Sequence, residues 1–222
     1  MLLFAALVPP TAELDRARVA VASVAPVPEP TPEPAPAARH RAGARRWFGR
    51  RKATEPDPVD PMLTLVPRAL MNTQIVKFGN LSSSDAIGLA DALTERGQEW
   101  SSPRLRLAGG FVRQLDGRTS VWTGITGDIE EVRDVIRGVS HVAQGLQMFV
   151  DRRIFRPEIQ VATANQRTTT DYLDAVTNEL EAFESNAWWQ NTLTLMVPTE
   201  DGPGPVPVKV FREIPLGPAV GH

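Results

Sequence analysis

The sequence has 222 residues, of which 42% are hydrophobic and 23% charged, a balance typical of one globular domain with its own core. The formal net charge of −2 argues against a global field that would draw the chain to nucleic acid or to a membrane, so any attraction to phosphate must be local. The absence of cysteine excludes disulfides and thiolate metal sites, and it fits the reducing cytosol that we expect as the location.

The first segment is an apolar run over residues 2–8. No cationic stretch precedes the run, and it is short for a signal peptide or a membrane span. We therefore predict a buried β-strand, with neither export nor membrane insertion. Thr11 is predicted to cap a helix over residues 12–23.

Composition then changes abruptly, because every second residue from Pro26 to Pro36 is proline. Such a run favours an extended polyproline II conformation. A basic cluster follows, with Trp47 inside it, and consists of Arg39, His40, Arg41, Arg45, Arg46, Arg50, Arg51 and Lys52. We predict a disordered insertion at about 24–61 within a single domain, 1–222. Residues 26–52 are a candidate surface for a protein partner or RNA, and a solvated spacer is the alternative.

The rest of the chain alternates between strand-like and helix-like periodicity. Strands are predicted at 63–66, 73–78, 104–112, 119–126, 159–164, 192–197 and 208–214. Helices are predicted from Ser83 or Ser84 to Gly97, from Asp128 in a capping box with Glu131, and from Thr170. This order indicates an α+β sandwich with mostly antiparallel sheets and helices on the outside.

Two of these strands begin with matching polar patterns. Asn72 and Gln74 share one face of the first strand, and Glu158 and Gln160 share one face of the second, because side chains alternate along a strand. Polar alternation also describes any half-exposed strand. The pattern alone therefore leaves a structural interpretation open.

Five segments in order resemble the 2H phosphoesterase superfamily of 2′-5′ RNA ligase and RNA cyclic phosphodiesterase-like proteins. They are MLLFAALVPP, LVPRALMNTQIVKFGN, TSVWTGITGDI, IFRPEIQVA and VKVFREIPLG. In that family the second segment carries a His-x-Thr/Ser motif, and the fourth carries another directly after an Arg-Pro pair. The resemblance implies the pseudo-symmetric 2H sandwich and covers nearly all of the chain outside the insertion.

Carried onto this sequence, the histidine positions fall on Asn72 and Glu158, and the threonine positions on Gln74 and Gln160. All four positions depart from the family pattern. A shift of one residue would instead place Met71 and Thr73 in the first motif. The Gly79-Asn80 turn that we expect after that motif, and the repeated Gln-apolar pattern, favour the first alignment.

These departures alter the chemistry that the resemblance implies, in which one imidazole is the base and the other the acid. A carboxamide does not titrate near neutral pH, so only Glu158 could exchange a proton. We expect a catalytically inactive protein with a polar cleft for a nucleotide-like or other small polar ligand. The cleft residues are Asn72, Gln74, Glu158, Gln160 and Arg156. An ionised Glu158 would repel phosphate unless Arg156 offsets it, and the sequence leaves both orientations of Arg156 open.

Two alternatives remain. One is a weakly active RNA or cyclic-nucleotide phosphodiesterase with Glu158 as acid/base and Asn72 as a hydrogen-bond donor. The other is an interaction module that acts through the Pro/Arg-rich insertion.

The remaining histidines do not suggest a second site. His40 lies in the insertion, His222 is terminal, and His141 is predicted to be a partly buried structural histidine. No cluster of histidine, aspartate and glutamate has metal-ligand spacing, so we expect neither metal nor cofactor. We also expect a monomer. Of Trp188 and Trp189, one ring is expected to cover the edge of the core, and the other is a candidate for the cleft.

Overall fold

The computed structural model describes residues 1–24, 62–115, 117–199 and 207–218. Its strands are β1 Leu2–Leu7, β2 Leu63–Leu65, β3 Thr73–Asn80, β4 Arg104–Leu115, β5 Arg118–Gly127, β6 Glu158–Ala164, β7 Trp188–Trp189, β8 Thr192–Pro198 and β9 Val208–Pro215. Its helices are α1 Thr11–Ser23, α2 Ser83–Gly97, α3 Ile129–Gly145 and α4 Thr170–Glu181, with a short 3-10 helix at Arg68–Leu70. The predicted insertion, His40 and His222 lie outside the described residues, except Val24 at the edge of the insertion.

The strands form two antiparallel sheets. The first sheet has the order β3-β1-β8-β9, and the second has the order β2-β6-β5-β4-β7. Both place the N-terminal half of the chain beside the C-terminal half: β1 pairs with β8, and β4 pairs with β7. The fold therefore depends on contacts between residues far apart in sequence.

Helices cover one face of each sheet. Helices α2 and α3 contact the first sheet through β9 and β3, whereas α1 and α4 contact the second sheet through β6 and β4. The apolar side chains between them form one continuous buried cluster that includes Leu93, Val139, Ala17 and Val176. The predicted α+β fold with outer helices is confirmed. None of the helices in the described part of the chain is both long and apolar enough to cross a lipid bilayer.

Two predicted capping interactions are wrong. Thr11 is the first helical residue rather than the cap, and the carbonyl of Pro10 accepts the first helical N–H bonds instead. Asp128 occupies the N-cap of α3 without a side-chain cap bond. Its carboxylate accepts the backbone N–H of Arg104 at 2.8 Å, so the expected capping box with Glu131 does not form. Asp128 therefore bonds to a neighbouring strand instead of to the first turn of its own helix.

The other two helices begin close to the predicted positions. Ser82, one residue before the predicted Ser83 or Ser84, accepts the backbone N–H of Asp85 at 3.1 Å. Thr169 accepts the N–H of Tyr172 at 3.3 Å, which places Thr170 as the first residue of α4. These local hydroxyl caps satisfy N–H groups that have no partner within the helix.

Candidate ligand cleft

The starts of β3 and β6 lie next to each other. Strand β2 pairs antiparallel with β6, and the chain beyond β2 continues alongside β6, where the N–H of Val66 donates to the carbonyl of Val161 at 2.8 Å. Farther on, the Thr73 hydroxyl donates to the carbonyl of Arg156 at 2.7 Å. This bond ties the residue after Asn72 to the residue two before Glu158.

Burial distinguishes the two alignments of the first motif. Met71 is 1% exposed and Thr73 is 3% exposed, so both belong to the core. Asn72 and Gln74 are half-buried. Placing the motif on Met71 and Thr73 would therefore direct it into the interior, which favours the alignment on Asn72 and Gln74.

Asn72 and Gln74 have different surroundings. The Asn72 side-chain amide donates to the carbonyl of Leu70 at 3.2 Å, so it is held by its own chain segment. Gln74 lies opposite Ala6 on β1, and Ala6 belongs to a small apolar cluster with Phe4 and Met196, separate from the main core. Gln74 thus shares its side of the first sheet with an apolar surface.

The side of the second sheet that faces away from α1 and α4 is called here the open face. Cross-strand register aligns Gln160 with Trp122 and Phe111. Alternation places buried Ile159 and Val121 on the opposite side. The open face comprises Phe111, Arg113, Ser120, Trp122, Glu158, Gln160 and Thr163, all half-buried.

A β-bulge shapes this face. The register between β5 and β6 shifts where Val121 pairs with Ala162 and Trp122 pairs with Gln160, so Val161 is the extra residue. Val161 and Ala162 are both buried, and Gln160 comes onto the same side as Thr163. The Gln160 amide donates to the Thr163 hydroxyl at 2.9 Å.

Glu158 is paired with an arginine from a strand two positions away. The Arg113 guanidinium donates to both carboxylate oxygens, from Nη1 to Oε1 at 2.5 Å and from Nη2 to Oε2 at 2.9 Å. The Glu158 side chain is 11% exposed and that of Arg113 is 38% exposed. This bidentate geometry is the strongest arrangement for such a pair and neutralises Glu158 where it stands.

The same guanidinium packs against two aromatic rings. Its Cζ lies 5.1 Å from the ring centroid of Trp122 and 5.5 Å from that of Phe111, distances typical of cation–π contacts. The Trp122 indole N–H donates to the Ser120 hydroxyl at 2.8 Å. The ring that supports Arg113 is therefore itself held in place.

Arg156 does not offset Glu158. Its guanidinium donates to the carbonyls of Arg153 at 3.1 Å and Phe155 at 3.0 Å, and the residue is exposed. Arg113 has the role considered for Arg156, and sequence reasoning missed it. A signal was present, because Phe111 lies on the predicted strand 104–112, Arg113 follows one residue beyond its end, and Trp122 lies on the next predicted strand.

Other predicted residues are distributed as follows. His141 is exposed on α3, so the prediction of a partly buried structural histidine is wrong.

Trp188 is buried and donates to the Gln190 side chain at 3.0 Å, which confirms one ring at the core. Trp189 is exposed, with Arg104 5.9 Å from its ring centroid at the β7 edge. Within the described ranges no group of three acidic or histidine side chains could hold a metal ion.

A cavity of about 510 Å³ lies at the other end of β3. Gly79 and Asn80 line it together with Asp85 and the 146–149 segment. These two residues were expected to form a turn, but they are the last residues of β3, paired with Leu3 and Leu2. The cavity is thus at the opposite end of the strand from Asn72.

Comparison with known proteins identifies similarity in structure only. No family model matches the sequence, and no curated protein does. TT0787 of Thermus thermophilus matches with a TM-score of 0.54 and 14% identity, over 97% of this chain and 98% of that one. E. coli LigT complexed with 3′-AMP matches with a TM-score of 0.54 and 14% identity, over 96% and 97%. A phosphoesterase crystal structure matches with a TM-score of 0.54 and 13% identity, over 97% of both chains.

Proposed function

From the premise that this chain has the fold of the 2H phosphoesterase superfamily, to which those structures belong, we propose that it is a binding protein without phosphodiesterase activity. Its ligand is a nucleotide-like or other small polar molecule, held at the starts of β3 and β6. One observation carries this proposal: both oxygens of Glu158 accept hydrogen bonds from Arg113.

With that pairing, the two positions that the resemblance assigns to histidine hold no acid/base pair. The acid/base pair that the resemblance implies needs two groups that exchange protons near neutral pH, each contributing about 10²- to 10⁴-fold. Asn72 does not titrate, and its amide is bound to Leu70. Glu158 is the remaining titratable group, and both its oxygens are occupied.

Two observations support a nucleotide-like ligand. The matching E. coli LigT structures include complexes with 3′-AMP, ATP and NADP+, besides one with phosphate and an apo form. In this chain the open face presents Trp122 and Phe111 beside Arg113, and such combinations stack on nucleobases. The amides of Gln74 and Gln160 add hydrogen-bonding capacity.

The proposal is tested by measuring turnover and binding with the same full-length protein. We expect no hydrolysis of 2′,3′-cyclic nucleotides or of 2′-5′-linked oligonucleotides, together with saturable binding of 3′-AMP or adenosine in calorimetry. Turnover abolished by Glu158→Ala, but retained in the control Glu184→Ala, would establish an enzyme and refute the proposal. Glu184 suits the control because it forms an exposed ion pair with Arg106, on the same strand as Arg113.

The alternative functions make different predictions. A weakly active phosphodiesterase that depends on Glu158 requires a pH–rate profile governed by one carboxyl group, and the pairing with Arg113 counts against it. An interaction module in the insertion lies outside the described residues. Deleting residues 26–60 and finding unchanged partner capture and RNA affinity at low salt would refute that idea.

A further inference from the structure

On the open face, the guanidinium of Arg113 contacts both a carboxylate and two aromatic rings. Its two terminal nitrogens donate to the Glu158 carboxylate, and its Cζ lies 5.1 Å from the ring centroid of Trp122 and 5.5 Å from that of Phe111. Phosphate is recognised through the edge of a guanidinium, where its N–H groups point. A planar ring is recognised through the flat surface instead.

We propose that the Arg113–Glu158 pair makes this face selective for the uncharged base of a nucleoside and excludes its phosphate. This inference rests on the proposed function and names the part of the ligand that is recognised. Glu158 is then a specificity-determining residue, because it balances the charge of Arg113 and takes one N–H of each terminal nitrogen, the pair of donors that grips a phosphate end-on. The Arg113 side chain, 38% exposed, and the half-buried rings of Trp122 and Phe111 remain for stacking.

Glu158 accepts from two of the five guanidinium N–H groups, so a phosphate could bind at that edge only by displacing the carboxylate, and elsewhere it would meet a guanidinium whose charge is already balanced. The displaced carboxylate, which is 11% exposed in the pair, would remain unpaired beside a second negative charge. Glu158 also competes with a free phosphate for Arg113, and because both residues belong to the same molecule its effective concentration is far above that of the free ligand. Both effects favour the internal pair over an incoming anion.

Two residues with little or no side chain lie next to the aromatic rings of the open face. Across from Glu158 on β5 is Gly124, and across from Gly124 on β4 is Ala108. A side chain at Gly124 would meet the Ala108 carbonyl at 2.8 Å, so only glycine fits without a shift. Gly124 and Ala108 thus place only small groups beside the row that contains Trp122 and Phe111.

Calorimetry of the full chain with adenosine, 3′-AMP and inorganic phosphate tests the inference. For the wild-type protein we expect adenosine and 3′-AMP to bind within about threefold of each other and phosphate not to bind, because charge-assisted contacts to phosphate are missing. In Glu158→Gln, affinity for 3′-AMP should rise about tenfold while affinity for adenosine stays constant. The control Glu184→Gln should leave both affinities unchanged.

The outcomes separate the inference from the function on which it rests. A wild-type preference for 3′-AMP of tenfold or more, or no gain in Glu158→Gln, would overturn the inference while the proposed function stands. Failure of both ligands to bind would overturn the proposed function as well. If Glu158→Gln does not fold, the double variant Arg113→Met/Glu158→Gln removes both charges together. It should lose adenosine affinity about tenfold if stacking on the guanidinium is correct, and unchanged affinity would contradict it.

Discussion

The starts of β3 and β6 look alike in sequence and differ in how they are held. At β3, Asn72 donates to Leu70, two residues away, so its partner is local. At β6, Glu158 is held by Arg113, 45 residues earlier and two strands across the sheet. The matched pattern therefore produces one locally satisfied amide and one long-range ion pair. Chemical roles inferred from matching positions need not be equivalent, because the neighbouring strands supply different partners.

The largest effect is expected from breaking the ion pair on the β6 side. Arg113→Ala leaves Glu158 unpaired at 11% exposure and should lower the free energy of unfolding by about 2–3 kcal/mol. Arg106→Ala, at the exposed Arg106–Glu184 pair of the same strand, should cost less than about 1 kcal/mol. Urea unfolding of both variants measures the difference, and equal losses would mean that Glu158 is effectively solvated.

A smaller effect is expected from the bond that joins the two strand starts. Thr73→Val keeps the shape of the side chain but removes its bond to the Arg156 carbonyl, so the unfolding free energy should fall by about 1–2 kcal/mol. Thr199 donates a similar bond to Pro207 at an exposed position. Thr199→Val should therefore cost less than about 0.5 kcal/mol. If Thr73→Val left the free energy of unfolding unchanged, the two strand starts would be held by other contacts.

The smallest effect is expected at the β3 position. Asn72→Ala removes one half-buried bond of 3.2 Å to Leu70 and should cost about 0.5 kcal/mol in thermal or urea unfolding. This loss should be well below that of Arg113→Ala. A loss as large as that of Arg113→Ala would contradict the comparison, since it would place Asn72 in a network as strong as that of Glu158.

Burial of a tyrosine provides a pH-dependent check outside the site. Burial raises the pKa of Tyr172, whose hydroxyl donates to the carbonyl of Val24 at 3.3 Å. The unfolded chain then releases this proton first as pH rises above about 10, so stability is full below that pH and falls above it. Tyr172→Phe should remove this part of the alkaline loss in unfolding measured from pH 8 to 11. An unchanged profile would exclude Tyr172 as its source.

Several features were predictable because they depend on local sequence. Apolar alternation and spacing placed β1, β3, β6 and the buried side of α3, where Val132, Ile136 and Val139 are in the core. Helix starts were harder to predict. A nearby hydroxyl capped α2 and α4, but Asp128 instead accepts the N–H of Arg104 from a neighbouring strand.

The candidate site was predictable only in part. The sequence by itself determined which side chains alternate onto one side of β3 and β6, since a period of two is a property of the strand. Only the tertiary structure decided that Arg113 rather than Arg156 pairs with Glu158, because sheet order brings β4 within reach of β6 across β5. The bulge at Val161, which puts Gln160 beside Thr163, likewise arises from pairing between strands. The local pattern thus determines which positions are polar, whereas their partners are set by strands that become neighbours only in the folded sheet.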